Sequence, residues 1–185
     1  MPLLPPEKDI YPDDLLSPRD PMGAARNWWT VYTRVRQEKS LARELFTWKV
    51  PFYLPLVKQT RLYRGRKRSS FLPLFTSYLF LQATDEERVK ALGTDRVAQI
   101  LPVPDPAGLL RDLRQIQRLI LADVPLTIES RLQPGTHVRV RSGVLAGIEG
   151  VVQSRTKPTR LVVLVNLLQQ GVSLEVEDFL LDSLE

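Results

Sequence analysis

The sequence predicts an α+β sandwich, with helices covering a mainly antiparallel sheet, followed by a small closed β barrel. Two patterns carry this. From Trp28 to Leu121 the hydrophobic period switches between two and about four in the order strand, helix, two strands, helix, strand, helix. From Gly135 to Glu177 short β-rich runs alternate with glycine turns, and closure protects the edges that a sheet so small could not. An apolar fraction of 43% and a charged fraction of 25% in 185 residues are ordinary for a folded chain of one domain or two small ones.

Six of the fifteen prolines fall in residues 1–21 among acidic and small residues, so residues 1–25 read as a disordered acidic tail. Trp28 to Arg34 is aromatic and β-branched, as a strand requires. Leu41 with Leu45 and Ala42 with Phe46 then share a helical face, and Pro51 marks the stop. Tyr53 to Leu62 and Phe71 to Gln82 read as strands on either side of a basic tip, Tyr63 to Ser70, that contains Gly65. Thr84 and Glu87 form a capping-box pattern, and Gly93 is placed to end that short helix. Val97 to Val103 gives a further strand. Asp105 caps the next helix, Pro106 opens it, and Leu109, Leu113, Ile116 and Ile120 line one side. Periodicity lapses near residues 126–133, the expected linker. Residues 134–185 hold the barrel, with Gly143, Gly147 and Gly150 assigned to turns or close backbone approach. Leu161 to Leu168 suits a buried strand through its β-branched residues, yet its apolar run also fits a helix.

Composition removes most chemistry. Zero cysteines and a lone histidine, His137, leave no thiol nucleophile, disulfide frame or Cys/His metal cage, and no Gly-rich phosphate loop is present, so no enzyme, metal or cofactor is expected. A leader and an apolar run of membrane length are both missing, and a cytoplasmic protein is expected. The net charge of +5 is uneven. Residues 26–75 carry twelve Lys and Arg against Glu38 and Glu44 alone, a field that draws polyanions.

Three segments, in this order, carry a resemblance: Trp28-Trp29-Thr30-Val31-Tyr32, Arg64-Gly65-Arg66-Lys67-Arg68 leading to Pro73-Leu74-Phe75-Thr76-Ser77-Tyr78-Leu79-Phe80, and the glycine-rich run from Val138 to Val152. Together they resemble the NusG family of transcription elongation factors, closest to its specialised RfaH-like branch. The resemblance implies an NGN domain over residues 26–125 and a KOW domain over residues 134–185. It implies a monomer whose NGN domain binds RNA polymerase and opposes pausing, while the KOW domain recruits a ribosome or a termination factor. In RfaH-like members the KOW domain can also switch between helical and barrel states.

Read from the residues, strand alternation points Tyr78 and Phe80 one way and Leu79 and Leu81 the other. Tyr78 and Phe80, with Tyr32 and Phe75 nearby, are the expected polymerase patch; the alternative is that the chain's own tail or helices cover them. Arg64, Arg66, Lys67 and Arg68, with Arg34 and Gln37, are expected to touch non-template or upstream DNA. The rival reading is an RNA-binding or ribosome-associated KOW protein without polymerase activity.

Overall fold

The computed structural model describes residues 7–18, 25–129, 135–152, 159–177 and 180–184. The chain divides into two units, Met1–Pro104 and Asp105–Glu185.

In the first unit the strands are β1 (Ile10–Tyr11), β2 (Asn27–Thr33), β3 (Phe52–Tyr53), β4 (Leu56–Tyr63), β5 (Arg66–Pro73), β6 (Tyr78–Ala83) and β7 (Val97–Pro102). Two helices, α1 (Glu38–Thr47) and α2 (Asp85–Leu92), lie between them in sequence. Five strands form an antiparallel sheet of order β1-β3-β6-β2-β7. Alternation sends Val31, Leu79, Leu81 and Phe52 to one core, where they meet Leu41, Ala42 and Leu45 of α1 and Ala91 of α2. The capping box at α2 is formed. The Thr84 hydroxyl accepts from the Glu87 N–H, and the Glu87 carboxylate accepts from the Thr84 N–H at 2.9 Å. Arg26 also grips Glu87 through two hydrogen bonds. Burial pushes the Glu87 carboxyl up, but these donors outweigh it and hold the group below its ordinary range.

The N-terminal segment differs from its expected disorder. Residues 1–6 and 19–24 of that expectation lie outside the described residues, but Ile10 pairs with Tyr53 and Tyr11 with Phe52, which extends the sheet by one edge strand. Ile10, Leu15 and Leu16 are buried. Glu7 bonds Arg43 on α1, and Tyr11 meets Phe46 edge to face at 5.5 Å. Of the acidic residues that suggest a solvated tail, Glu7 answers Lys39 and Arg43 on α1 while Asp13 pairs with Lys8 within the arm, and three apolar side chains bury enough surface to hold the arm in place.

The second unit begins with α3 (Pro106–Leu121), capped by the Asp105 carboxylate on the Gly108 N–H at 2.9 Å. It continues through β8 (Thr127–Glu129), β9 (Thr136–Val140), β10 (Glu149–Val152), β11 (Thr159–Val165), β12 (Gln170–Val176) and β13 (Leu181–Ser183). These six strands form one antiparallel sheet of order β13-β9-β10-β11-β12-β8. β8 pairs with β12, so the expected linker is in part a strand, and its residues 130–133 lie outside the described residues. Leu161 to Val165 takes the strand option, and a single 3-10 turn, Asn166–Leu168, follows it.

The helix α3 was expected in the first domain but groups with the second unit, for a reason its side chains supply. Asp112 accepts from the Asn166 N–H at 3.0 Å and from its amide at 3.2 Å. Gln115 accepts from the Glu149 N–H at 2.6 Å, and Arg118 donates to the Ala146 carbonyl at 2.5 Å. Burial raises the Asp112 carboxyl, against the lowering effect of its Asn166 hydrogen bonds.

Gly143 and Gly147 sit in turns with φ of 86° and 82°. Gly150 is a correction to the turn assignment, because it lies inside β10 opposite Val138. The second of the expected reasons holds there: an added Cβ would stand 2.5 Å from the Val162 carbonyl oxygen.

Candidate functional site

The four aromatic residues of the expected patch part company in the structure. Tyr32 and Tyr78 are cross-strand partners whose rings lie 5.3 Å apart, Tyr32 being 43% exposed and Tyr78 half-buried. Phe75 and Phe80 are fully buried and belong to the core, a correction to the patch. Alternation does put Phe80 on the side of Tyr78. But Phe80 lies two residues further into the sheet, beside Thr30 on β2 and Tyr53 on β3, whereas Tyr78 opens the strand. Register brings two further residues to the exposed corner. Gln99 pairs with Tyr32, and Leu101, 46% exposed, pairs with Thr30 on the same side of the sheet. Sequence reasoning missed them because Val97 to Val103 reads only as a further strand until its place at the sheet edge is known.

A buried carboxylate sets the position of Tyr78. Ser77 takes a φ of 66°, and its N–H donates to the Glu38 carboxylate at 2.8 Å while its carbonyl accepts from the Thr33 N–H at 2.8 Å. The first acid of α1, which reads as surface charge in the sequence, is therefore a buried brace under the turn that launches β6. Glu38→Ala should destabilise the fold by about 1–3 kcal/mol, since it leaves the Ser77 amide unpaired, whereas Glu38→Gln keeps an acceptor and should lose less. Chemical denaturation of both variants measures the difference.

The basic hairpin β4/β5 is a separate two-stranded ladder with an unbroken register from Leu56↔Pro73 to Tyr63↔Arg66. Its loop is only Arg64-Gly65, shorter than the tip expected from Tyr63 to Ser70. Both loop residues have positive φ, 46° and 74°, the pattern of a tight turn whose twist matches the strands, so pairing runs to the end of the finger. Arg64, Arg66, Lys67 and Arg68 are all exposed there. From residue 45 to residue 84 the chain has no acidic side chain, and among the described residues no ion pair reaches these cations. The two acids of the 26–75 stretch are engaged elsewhere, Glu38 on Ser77 and Glu44 on Arg96. The positive field of the finger is therefore uncompensated.

Arg34 and Gln37 flank the turn after β2. Arg34 is exposed, and its N–H donates to the Arg96 carbonyl at 2.8 Å. Arg96 in turn donates to the Gln37 side-chain oxygen at 3.0 Å and to Glu44 at 2.8 Å. The Glu44 hydrogen bond pushes the Arg96 guanidinium above its ordinary pKa. Arg96 is thus the organiser of this corner, and no local motif in the sequence marks it. Among the described residues no cluster of His, Cys, Asp and Glu could hold a metal ion, and no helix is long and apolar enough to cross a membrane.

A family model described as NusG, transcription termination factor nusG, matches residues 26–131, more than half of the chain. Among solved structures, one described as "Domain interaction in Thermotoga maritima NusG" is 17% identical over 86% of this chain and 98% of that chain, with a TM-score of 0.48. Another, "Crystal Structure of MjSpt4:Spt5 complex conformation B", is 17% identical over 85% of this chain and 97% of that chain, with a TM-score of 0.28. No curated protein matches the sequence.

Proposed function

The chain belongs to the NusG family, with an NGN-type α+β fold and a small KOW-like β domain, and from that premise we propose that it is an elongation or antitermination factor of the RfaH-like branch. In this reading the first unit anchors the protein on RNA polymerase through its sheet, and the β strands of residues 134–185 recruit a ribosome or a termination factor. The hairpin, with Arg34 and Gln37, touches non-template or upstream DNA. Suppression of pausing follows from binding the transcribing state better than the paused one, which shifts the population toward transcription. No bond is made or broken by the protein.

The observation that carries the reading is the exposed corner of Tyr32, Tyr78 and Leu101 on a sheet whose other aromatic residues are buried, as Trp28, Phe52, Tyr53 and Phe80 are, or partly buried against the core, as Tyr11 and Trp29 are. Half-exposed tyrosines at a strand end suit an interface anchor, with an apolar ring to bury and a hydroxyl to pair. Binding of the full chain to purified RNA polymerase tests it. Tyr32→Ala together with Tyr78→Ala should weaken affinity about thirtyfold, or about 2 kcal/mol, with the melting temperature little changed. Equal affinity of the variant and the parent chain would remove the corner from the interface. Transcription across a template with a strong pause then reads the activity, and binding to RNA without affinity for polymerase would select the ribosome-associated alternative.

A further inference from the structure

The register of the hairpin sorts its charges by side. Arg61, Tyr63, Arg66 and Arg68 share one side, because Arg61 is paired with Arg68 and Tyr63 with Arg66. The other side holds Lys58, Thr60, Leu62, Lys67, Ser69 and Phe71. Two contacts fix this assignment. The Arg68 guanidinium lies 5.1 Å from the Tyr63 ring centre on the first side, and the Thr60 and Ser69 hydroxyls lie 3.0 Å apart on the second.

The two sides differ in what they cost the fold. Arg61 directly opposite Arg68 places like charges face to face, an arrangement that destabilises a strand pair, and no acid in the hairpin relieves it. On the lysine side each cation faces an apolar residue, Lys58 opposite Phe71 and Lys67 opposite Leu62. The arginine side is also ordered in advance. Tyr63 gathers Arg68 and, from the turn, Arg64 at 5.5 Å, so less side-chain freedom is lost when an anion arrives. The planar fork of arginine matches phosphate oxygens, and Leu62, 74% exposed on the opposite side, offers them nothing.

We propose that the Arg61, Tyr63, Arg66 and Arg68 side of the hairpin is the surface that takes the phosphodiester backbone of nucleic acid, and that the Lys58 and Lys67 side faces away from it. This rests on the nucleic-acid role proposed for the hairpin and changes its membership. Lys67 leaves the contact set, while Arg61 and Tyr63 enter it. Tyr63 acts there as a positioning residue for the guanidinium groups.

Two charge-matched variants of the full chain test it: Arg61→Gln with Arg68→Gln, and Lys58→Gln with Lys67→Gln. Each removes two positive charges from the same finger. Binding is read by fluorescence anisotropy with a single-stranded DNA of about 20 nucleotides and with its duplex, over a range of salt. On either probe the arginine variant should lose about tenfold or more in affinity and about two from the salt slope, while the lysine variant stays within about threefold. Tyr63→Ala should weaken binding several-fold with the slope unchanged, and Tyr63→Phe should restore it. Arg61→Gln alone should melt no lower than the parent chain, because it removes the repulsive pair and leaves Arg68 on the Tyr63 ring. Equal losses from the two double variants would overturn the assignment and leave only a diffuse field, and a lower melting temperature for Arg61→Gln would contradict the repulsion it stands on. Failure of the parent chain to bind either probe is a separate result, which would dismiss the hairpin's nucleic-acid role altogether.

Discussion

Phe80→Ala is expected to destabilise the protein by about 3–5 kcal/mol, the range for emptying a buried phenylalanine site. Phe80 is fully buried in the central strand β6, paired with Thr30 on one side and Tyr53 on the other, so neighbouring backbone is held in ladders and cannot collapse into the cavity. Urea unfolding followed by circular dichroism measures the loss. Tyr78→Ala, two residues earlier on the same side, should fall well below it, because that ring is only half-buried. The pair separates a packing defect from a binding defect. A Phe80 variant that bound polymerase poorly would do so through unfolding, whereas a Tyr78 variant would do so as a folded protein. Similar stability losses at the two positions would show that the corner is part of the core.

Gly150→Ala should destabilise the second unit by about 3 kcal/mol, at the upper end of the cost of overpacking. The new Cβ would meet the Val162 carbonyl oxygen at 2.5 Å and a Leu161 methyl at 2.8 Å, and the first of these is backbone that cannot rotate aside. Relief requires β10 to move off β11, which breaks the pairing of Val151 with Val162 and of Val152 with Leu161. Hydrogen exchange at amides of β10 and β11 reads this locally, with protection lost there before it is lost in β2 and β6. Gly143→Ala provides the contrast. Its Cβ would meet nothing within 4 Å, so only the strain of its φ of 86° remains.

These two residues mark where sequence reading succeeds and where it stops. Local signals were legible: the Thr84 and Glu87 capping box, the Asp105 cap with Pro106 after it, and the alternation that assigns Leu79 and Leu81 to one side of β6 are all present in the structure. Alternation gives the side of a strand but not how far along it the cover extends, so Tyr78 and Phe80 looked equivalent. The arm at Ile10 was illegible because its partner, β3, is some forty residues away and its own composition is that of a coil. Glu38 shows a similar limit: its charge suggests solvent, and only the turn at Ser77, brought close by the fold, gives the carboxylate a reason to be buried. The hairpin was legible as a basic projection. Its two-residue loop and its division into an arginine side and a lysine side needed the register.

The N-terminal arm bears on how the protein is handled at the bench. A version trimmed to begin at Arg26, where the family match starts, would lose the backbone partners of Phe52 and Tyr53 and the plug formed by Leu15 and Leu16. What had been an inner row of amides and carbonyls on β3 would become an open, greasy rim, the kind of flank on which separate molecules zip together. Aggregation of such a fragment would report a severed edge strand rather than an unstable domain.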